Sequence, residues 1–144
     1  MQLAMKKESK DSYLLNQPKY DSIEGRSQLL RIELNPDFTK IDFGYQTTSY
    51  YVKGGWVRID AKTFIRIHST DERLTLTNAI NIPIAPEHHY FDTNKDWLYF
   101  SLIFPPLKAQ DCTIDVIEQE DGDEDDFNYY NIEINKKDLI KIKK

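Results

Sequence analysis

The chain has 144 residues, enough for one domain of common size, with 40% hydrophobic and 12% aromatic residues for a core and 30% charged residues for a solvated surface. Its net charge of −5 argues against a nucleic-acid binder, which needs a basic surface to displace counterions from phosphate. A single cysteine, Cys112, excludes an internal disulfide and a cysteine-based zinc site, and no stretch approaches the roughly 20 apolar residues of a membrane span.

Residues 1–26 are polar, follow no steady period and contain no apolar run of signal-peptide length, so they read as a flexible arm. IEGR at 23–26 matches a protease-recognition sequence and is given no functional weight. From Ser27 the period becomes two. In QLLRIELN, Leu30, Ile32 and Leu34 alternate with Arg31 and Glu33, the pattern of a half-buried strand. NPDFT is a turn, and KIDFGYQT alternates again through Ile41, Phe43 and Tyr45. In YYVKGGWVRID, Gly54 and Gly55 separate two β-prone runs, which predicts a hairpin. TFIRIHS and RLTLTN are further alternating runs on either side of a turn at 69–73.

NIPIAPEHHYF, residues 81–91, is stiffened by Pro83 and Pro86, each of which pushes its predecessor towards extended backbone. On a strand His88 and His89 face opposite sides, so they make a poor pair of metal ligands. The stretch reads as an edge connection or inter-sheet crossover, with Ile82, Ile84 and Phe91 closing the core end. DWLYFSLIF is the strongest strand: Leu98, Phe100, Leu102 and Phe104 form one face, and Trp97, Tyr99 and Ile103 the other. Two apolar faces predict a central position. Pro105 and Pro106 end it. CTIDVIE, carrying an unreactive buried Cys112, and FNYYNIEIN are the last strands, joined by the acidic loop 118–126.

Eight or nine short strands with no sustained helical period predict an all-β fold. A single antiparallel β-sandwich of immunoglobulin-like type is expected over 27–135, followed by a basic tail at 136–144. A partly open barrel is the alternative.

A resemblance is carried by INIPIAPEHHYF, then LYFSLIFPPL, then IDVIEQ, then FNYYNIEI, with GGWVRIDAKTFIRI upstream. In this order the motifs resemble a β-sandwich accessory module of Bacteroidetes proteins. In that family, segments such as GIPLSPEKH precede a strand ending in PPLP, followed by FDLIEG and a last aromatic strand. The family's glycine after DLIE is Gln119 here. The resemblance covers roughly 27–135 and implies an accessory role, without established activity, in envelope or periplasmic proteins.

Site candidates are few. Seven carboxylates fall within 118–126, and Asp121, Asp123 and Asp125 have the alternate spacing that opens a calcium loop. The sixth position is Asp126 where that loop needs glycine, and the twelfth is Ile132 where it needs glutamate. A solvated loop that deters edge association is the plainer reading. Calcium there is the one cofactor considered. Aromatics are plentiful (Trp56, Trp97, Tyr50, Tyr51, Tyr90, Tyr129 and Tyr130), and Trp56, Trp97, Tyr129 and Tyr130 are the candidate binding residues. There is no glycine-rich phosphate loop, nucleophile elbow or histidine triad pattern.

The expectation is a non-enzymatic module that binds another protein or an adjacent domain. A carbohydrate-binding module, calcium-assisted or not, is the alternative. A small hydrolase built on His88 or His89 is the third reading, and it requires one of them to meet a carboxylate.

Overall fold

Alternating residues become strands where the chain brings a hydrogen-bonding partner alongside, and here the partners are mostly remote in sequence. The computed structural model describes residues 11–22, 27–46, 55–93, 96–122 and 126–142. Its strands are β1 (Ser12–Asn16), β2 (Asp21–Ser22), β3 (Ser27–Leu34), β4 (Thr39–Gln46), β5 (Trp56–Val57), β6 (Phe64–Ile67), β7 (Arg73–Thr75), β8 (Asn78–Ile80), β9 (His89–Tyr90), β10 (Trp97–Phe104), β11 (Cys112–Ile117), β12 (Tyr129–Ile134) and β13 (Ile140–Ile142). A single 3-10 turn at Lys136–Asp138 is the helical content of the described residues.

The strands form a six-stranded sheet in the order β13-β1-β3-β4-β10-β8 and a five-stranded sheet in the order β2-β12-β11-β6-β7. Both sheets are antiparallel and pack face to face as a β-sandwich; neither closes into a barrel. A small β5–β9 ladder lies beside them. The inner faces meet through Phe43 and Phe100 of the first sheet, stacked at 5.1 Å, with Tyr129 of the second 5.3 Å from Phe43. Phe43, Phe104, Tyr129, Ile32, Ile41, Ile114 and Ile132 are essentially sealed from solvent. Each such side chain stabilises the fold by about 2–3 kcal/mol on burial.

The outermost segments correct the sequence expectation. Residues 12–16, read as part of a flexible arm, form β1, which lies between β3 and β13. The basic tail supplies β13, with Ile140 opposite Leu14. The sandwich thus extends well outside 27–135. Both segments are too short to announce themselves locally, and it is the pairing of β1 with β13 on one side and β3 on the other that makes them strands.

Pairing also bears on four smaller expectations. In β3 the register slips between Leu29 and Arg31, so Leu30 is an extra, bulged residue, and Leu29 takes the core position expected for Leu30. Trp56–Val57 pairs with His89–Tyr90; the predicted glycine hairpin falls largely on residues 47–54, outside those described. Segment 81–91 is a connection, as expected, held by the Ile59 amide donating to Pro83 O and the Ala85 amide donating to Ile59 O. Ile82 and Phe91 are buried, but Ile84 remains exposed although it bridges the buried Ile59. Strand β10 has neighbours on both sides, yet its second apolar face is uncovered, since no layer packs outside the first sheet among the described residues.

Candidate functional site

Three surfaces could carry chemistry. The first is the outer face of the six-stranded sheet around β10. Asp96 prepares it by accepting hydrogen bonds from the amides of Thr93 and Asp92 and from the Thr93 hydroxyl, which fixes the turn entering the strand. These bonds, the Thr93 amide first, hold its carboxyl below the usual carboxylate range. Trp97 and Tyr99 then project outward, near-parallel with ring centroids 6.2 Å apart, and Tyr99 is 63% exposed. Tyr99 pairs across the strand with Gly44. A Cβ at Gly44 would stand 3.2 Å from the Tyr99 ring, so the missing side chain is what lets the ring lie so close to the sheet.

Beside that ring runs a groove of about 650 Å³. Its apolar lining includes Leu30, set on this face by the bulge, and Ile80 of the neighbouring β8. Its polar lining is organised around Asp42, which accepts Arg31 Nε at 2.9 Å and the Ser101 hydroxyl at 2.6 Å. Gln17 and Asn81 close the rim with φ of 46° and 65°, a backbone region that non-glycine residues enter at a cost. Asn81 Nδ2 donates to Tyr99 O and ties one rim to β10.

The second surface is an aromatic cluster on the β5–β9 ladder. Antiparallel pairing sets Trp56 opposite Tyr90. The His88 ring lies 4.1 Å from Trp56 and is parallel to Tyr90 at 5.8 Å. The Arg58 guanidinium sits 5.0 Å from the centre of Trp56 and within 3.4 Å of His88 Nε2. Trp56 is 46% exposed and Tyr90 71%.

The third surface, on the five-stranded sheet, is ionic. Asp115 is only 4% exposed and accepts His68 Nε2 at 2.8 Å, Arg66 at 3.0 Å and the Asn131 amide at 2.9 Å. Burial pushes its carboxyl up, but the Asn131 amide, His68 and Arg66 outweigh that and hold it below its ordinary 3.8. Glu120 bridges Arg66 and Arg73.

At the adjoining hairpin, Glu118 accepts the amides of Asp60 and Phe127, each at 2.9 Å. Burial, which the two amide bonds oppose, and the nearby Asp126 and Asp60 push Glu118 up to about 7. Asn128 cinches the same loop by accepting the Glu118 and Gln119 amides and donating to Gln119 O. Gly122 fits because a Cβ there would lie 2.4 Å from the Asp126 carboxylate and 2.9 Å from Gln119 O.

The predicted site residues divide. Trp97, 44% exposed, and Trp56 stand on the first and second surfaces. Tyr129 is a correction: it is fully buried, its hydroxyl is hydrogen-bonded to Ser27, and its ring packs on Tyr20 and Phe43. Tyr130, next along the strand, is half-buried. Asp123 and Asp125 lie outside the described residues with Tyr50 and Tyr51, while Asp121 lines a second groove beside Glu118. Among the described residues no group of three or more acidic, histidine or cysteine side chains is placed to hold a metal ion.

His88 packs on aromatics and Arg58, and His89 meets Phe91 edge-on. The histidine that does bond a carboxylate is His68, whose partner Asp115 is 47 residues away and saturated by two further donors. Asp115 thereby ties Arg66, His68 and the β12 backbone to β11. Arg31, Asp42, Gly44, Tyr99 and Asn81 belong to no binding motif that the sequence displays. Their one local signal was the apolar outer face of β10.

Among the described residues no helix is long and apolar enough to cross a membrane. Comparison with family models, curated proteins and solved structures found no match to this chain.

Proposed function

We propose that the protein is a non-enzymatic interaction module of broadly immunoglobulin-like build, which docks another protein or an adjacent domain through the Trp56 cluster. The observation that carries this reading is the gathering of Trp56, Arg58, His88 and Tyr90 on one exposed ladder. Tryptophan, tyrosine and arginine are the residues that dominate protein-binding hot spots, since each combines a large apolar body with a polar handle. Here the guanidinium already caps the indole, so little rotamer freedom remains to be lost when a partner covers both. The likeness to Bacteroidetes accessory modules, which implies an envelope location, agrees with a role exercised by contact. The acidic loop would steer basic partners and repel acidic ones.

The test is capture from an extract of the source organism by the full chain, by a Trp56→Ala/Tyr90→Ala variant and by a control, Lys137→Ala, on the exposed 3-10 turn. A protein held by the first and third and released by the second supports the reading. Capture indifferent to Trp56 and Tyr90, or turnover of a substrate by the isolated chain, overturns it.

A further inference from the structure

The geometry points to a second binding site, for an uncharged carbohydrate, in the groove beside Tyr99. The site is separate from the Trp56 cluster, none of whose residues lines the groove. Three features define the ligand. The first is shape. The groove is open along the sheet and about 650 Å³ in volume, within the range of small-ligand clefts. Tyr99 lies against its wall with 63% of its surface exposed, and Gly44 behind it leaves the ring close to the sheet. A flat aromatic face of this kind suits the C–H face of a pyranose, which is apolar and planar.

The second feature is the polar inventory. Asp42 takes only Nε of Arg31, so among the described residues both Nη groups of Arg31 remain free to donate. Asp42 is anchored on both oxygens by Arg31 and Ser101, so the donors are held rigid instead of swinging in solvent. Asn16, Gln17 and Asn81 add amides, which donate and accept at once, as a sugar hydroxyl also does. A purely apolar ligand such as a lipid chain would leave these groups buried without partners, which costs about 1–3 kcal/mol for each.

The third is charge. Arg31 and Lys40 are the cations of this patch. Asp42 contacts both, and Glu33 is opposite Lys40 in the β3–β4 register. The cations and carboxylates balance one for one. A phosphate or a uronic acid would need a cationic surplus that the patch does not have. The two residues with positive φ at the rim, Gln17 and Asn81, fit a constructed edge, because such backbone persists where surrounding contacts impose it.

Affinity electrophoresis of the full chain through gels containing β-glucan, xyloglucan or galactomannan, with polygalacturonate as the acidic comparator, tests the site. Retardation by at least one neutral polysaccharide is expected. Tyr99→Ala should weaken it at least tenfold, and Trp56→Ala/Tyr90→Ala should leave it intact. Arg31→Met, which keeps the length of the side chain and removes its donors, should weaken it as well and decides the matter if Tyr99→Ala fails to fold. Absence of retardation in all three neutral gels, retardation by polygalacturonate alone, or retention by both Tyr99→Ala and Arg31→Met overturns the proposal. The protein-docking reading fails on a different variant, so the two outcomes are independent.

Discussion

The two outer faces of the sandwich handle their polar groups in opposite ways. On the five-stranded sheet, Asp115, Arg66, His68, Glu120 and Arg73 satisfy one another across strands β6, β7 and β11 and the following hairpin. On the six-stranded sheet, Arg31 is half-used, Tyr99 and Trp97 are both exposed, and the groove beside Tyr99 is open. Both faces are solvent-facing sides of antiparallel sheets of similar size, so architecture alone does not separate them. The difference lies in whether a side chain's partners come from the fold or are left to be supplied. A closed network holds the sheet together, whereas an open one keeps binding capacity available.

The sharpest way to break this contrast is to remove the central carboxylate of each face. Asp115→Ala removes the nearly buried carboxylate that His68, Arg66 and the Asn131 amide all donate to, leaving Arg66 only its outer partner Glu120. It should destabilise the protein by about 3 kcal/mol. Asp42→Ala, on an exposed pair with Arg31, should cost under about 1 kcal/mol. Urea unfolding followed by circular dichroism reads both. Equal losses would mean that the two faces do not differ in kind.

A change of pH should divide the five-stranded side itself, because Asp115 in the network and Glu118 at the adjoining hairpin titrate in opposite senses. Glu118 is raised from 4.5 to about 7 in the fold, so the folded state holds its proton more tightly than the unfolded chain does. Its contribution is therefore fully present below about pH 4.5 and is lost as pH rises through 7, to a total of about 3 kcal/mol. Asp115 is lowered, so its contribution is present above its ordinary 3.8 and is lost as pH falls through its lower folded value. Stability measured from pH 5 to 8 should fall with rising pH, and Glu118→Gln should flatten that slope. An unchanged slope in the variant would assign it to another group.

These two carboxylates also mark where the sequence was and was not legible. Period-two alternation identified Leu98, Phe100, Leu102 and Phe104 as one core face, because a strand with a buried side cannot slip by one residue without exposing all of it. It misplaced Leu30, because a bulge adds a residue that no local pattern records. It missed β1 and β13, whose strand character comes from pairing across nearly the whole chain. It could not foresee His68 meeting Asp115, since a 47-residue contact is decided by sheet order. The same holds for the groove, whose residues come from β1, β3, β4, β8 and β10 and the turns beside them. Trp56 and Trp97 were found by type alone, and Tyr129 shows the weakness of that signal: an aromatic is a core residue or a surface one according to the side of the strand it occupies.

A smaller effect should show on the open face. Tyr99→Ala removes a mostly exposed ring and should cost under about 1 kcal/mol, far less than the roughly 3–5 kcal/mol expected of Phe100→Ala one residue further on. Thermal unfolding of the pair checks whether β10 divides cleanly into a structural side and a free side. A large loss with Tyr99→Ala would mean that its contact with Gly44 and Leu30 is part of the core after all.

The smallest effect expected is the most specific to the groove. In Gly44→Ala the new methyl would meet the Tyr99 ring at 3.2 Å and a Leu30 methyl at 3.6 Å. The first contact is too tight by a few tenths of an ångström, and the ring, being exposed on its other side, is free to lift. Its lift offsets the crowding, while the loss of glycine's freedom in the unfolded chain favours the fold by about 0.4–1 kcal/mol. Stability should therefore change by less than about 1 kcal/mol in either direction. The lifted ring, however, would no longer lie against the groove wall. Retardation by a neutral polysaccharide should weaken in this variant while its melting temperature holds. If both stay unchanged, the close seating of Tyr99 on Gly44 has no bearing on binding, and the exposed ring alone would have to account for it.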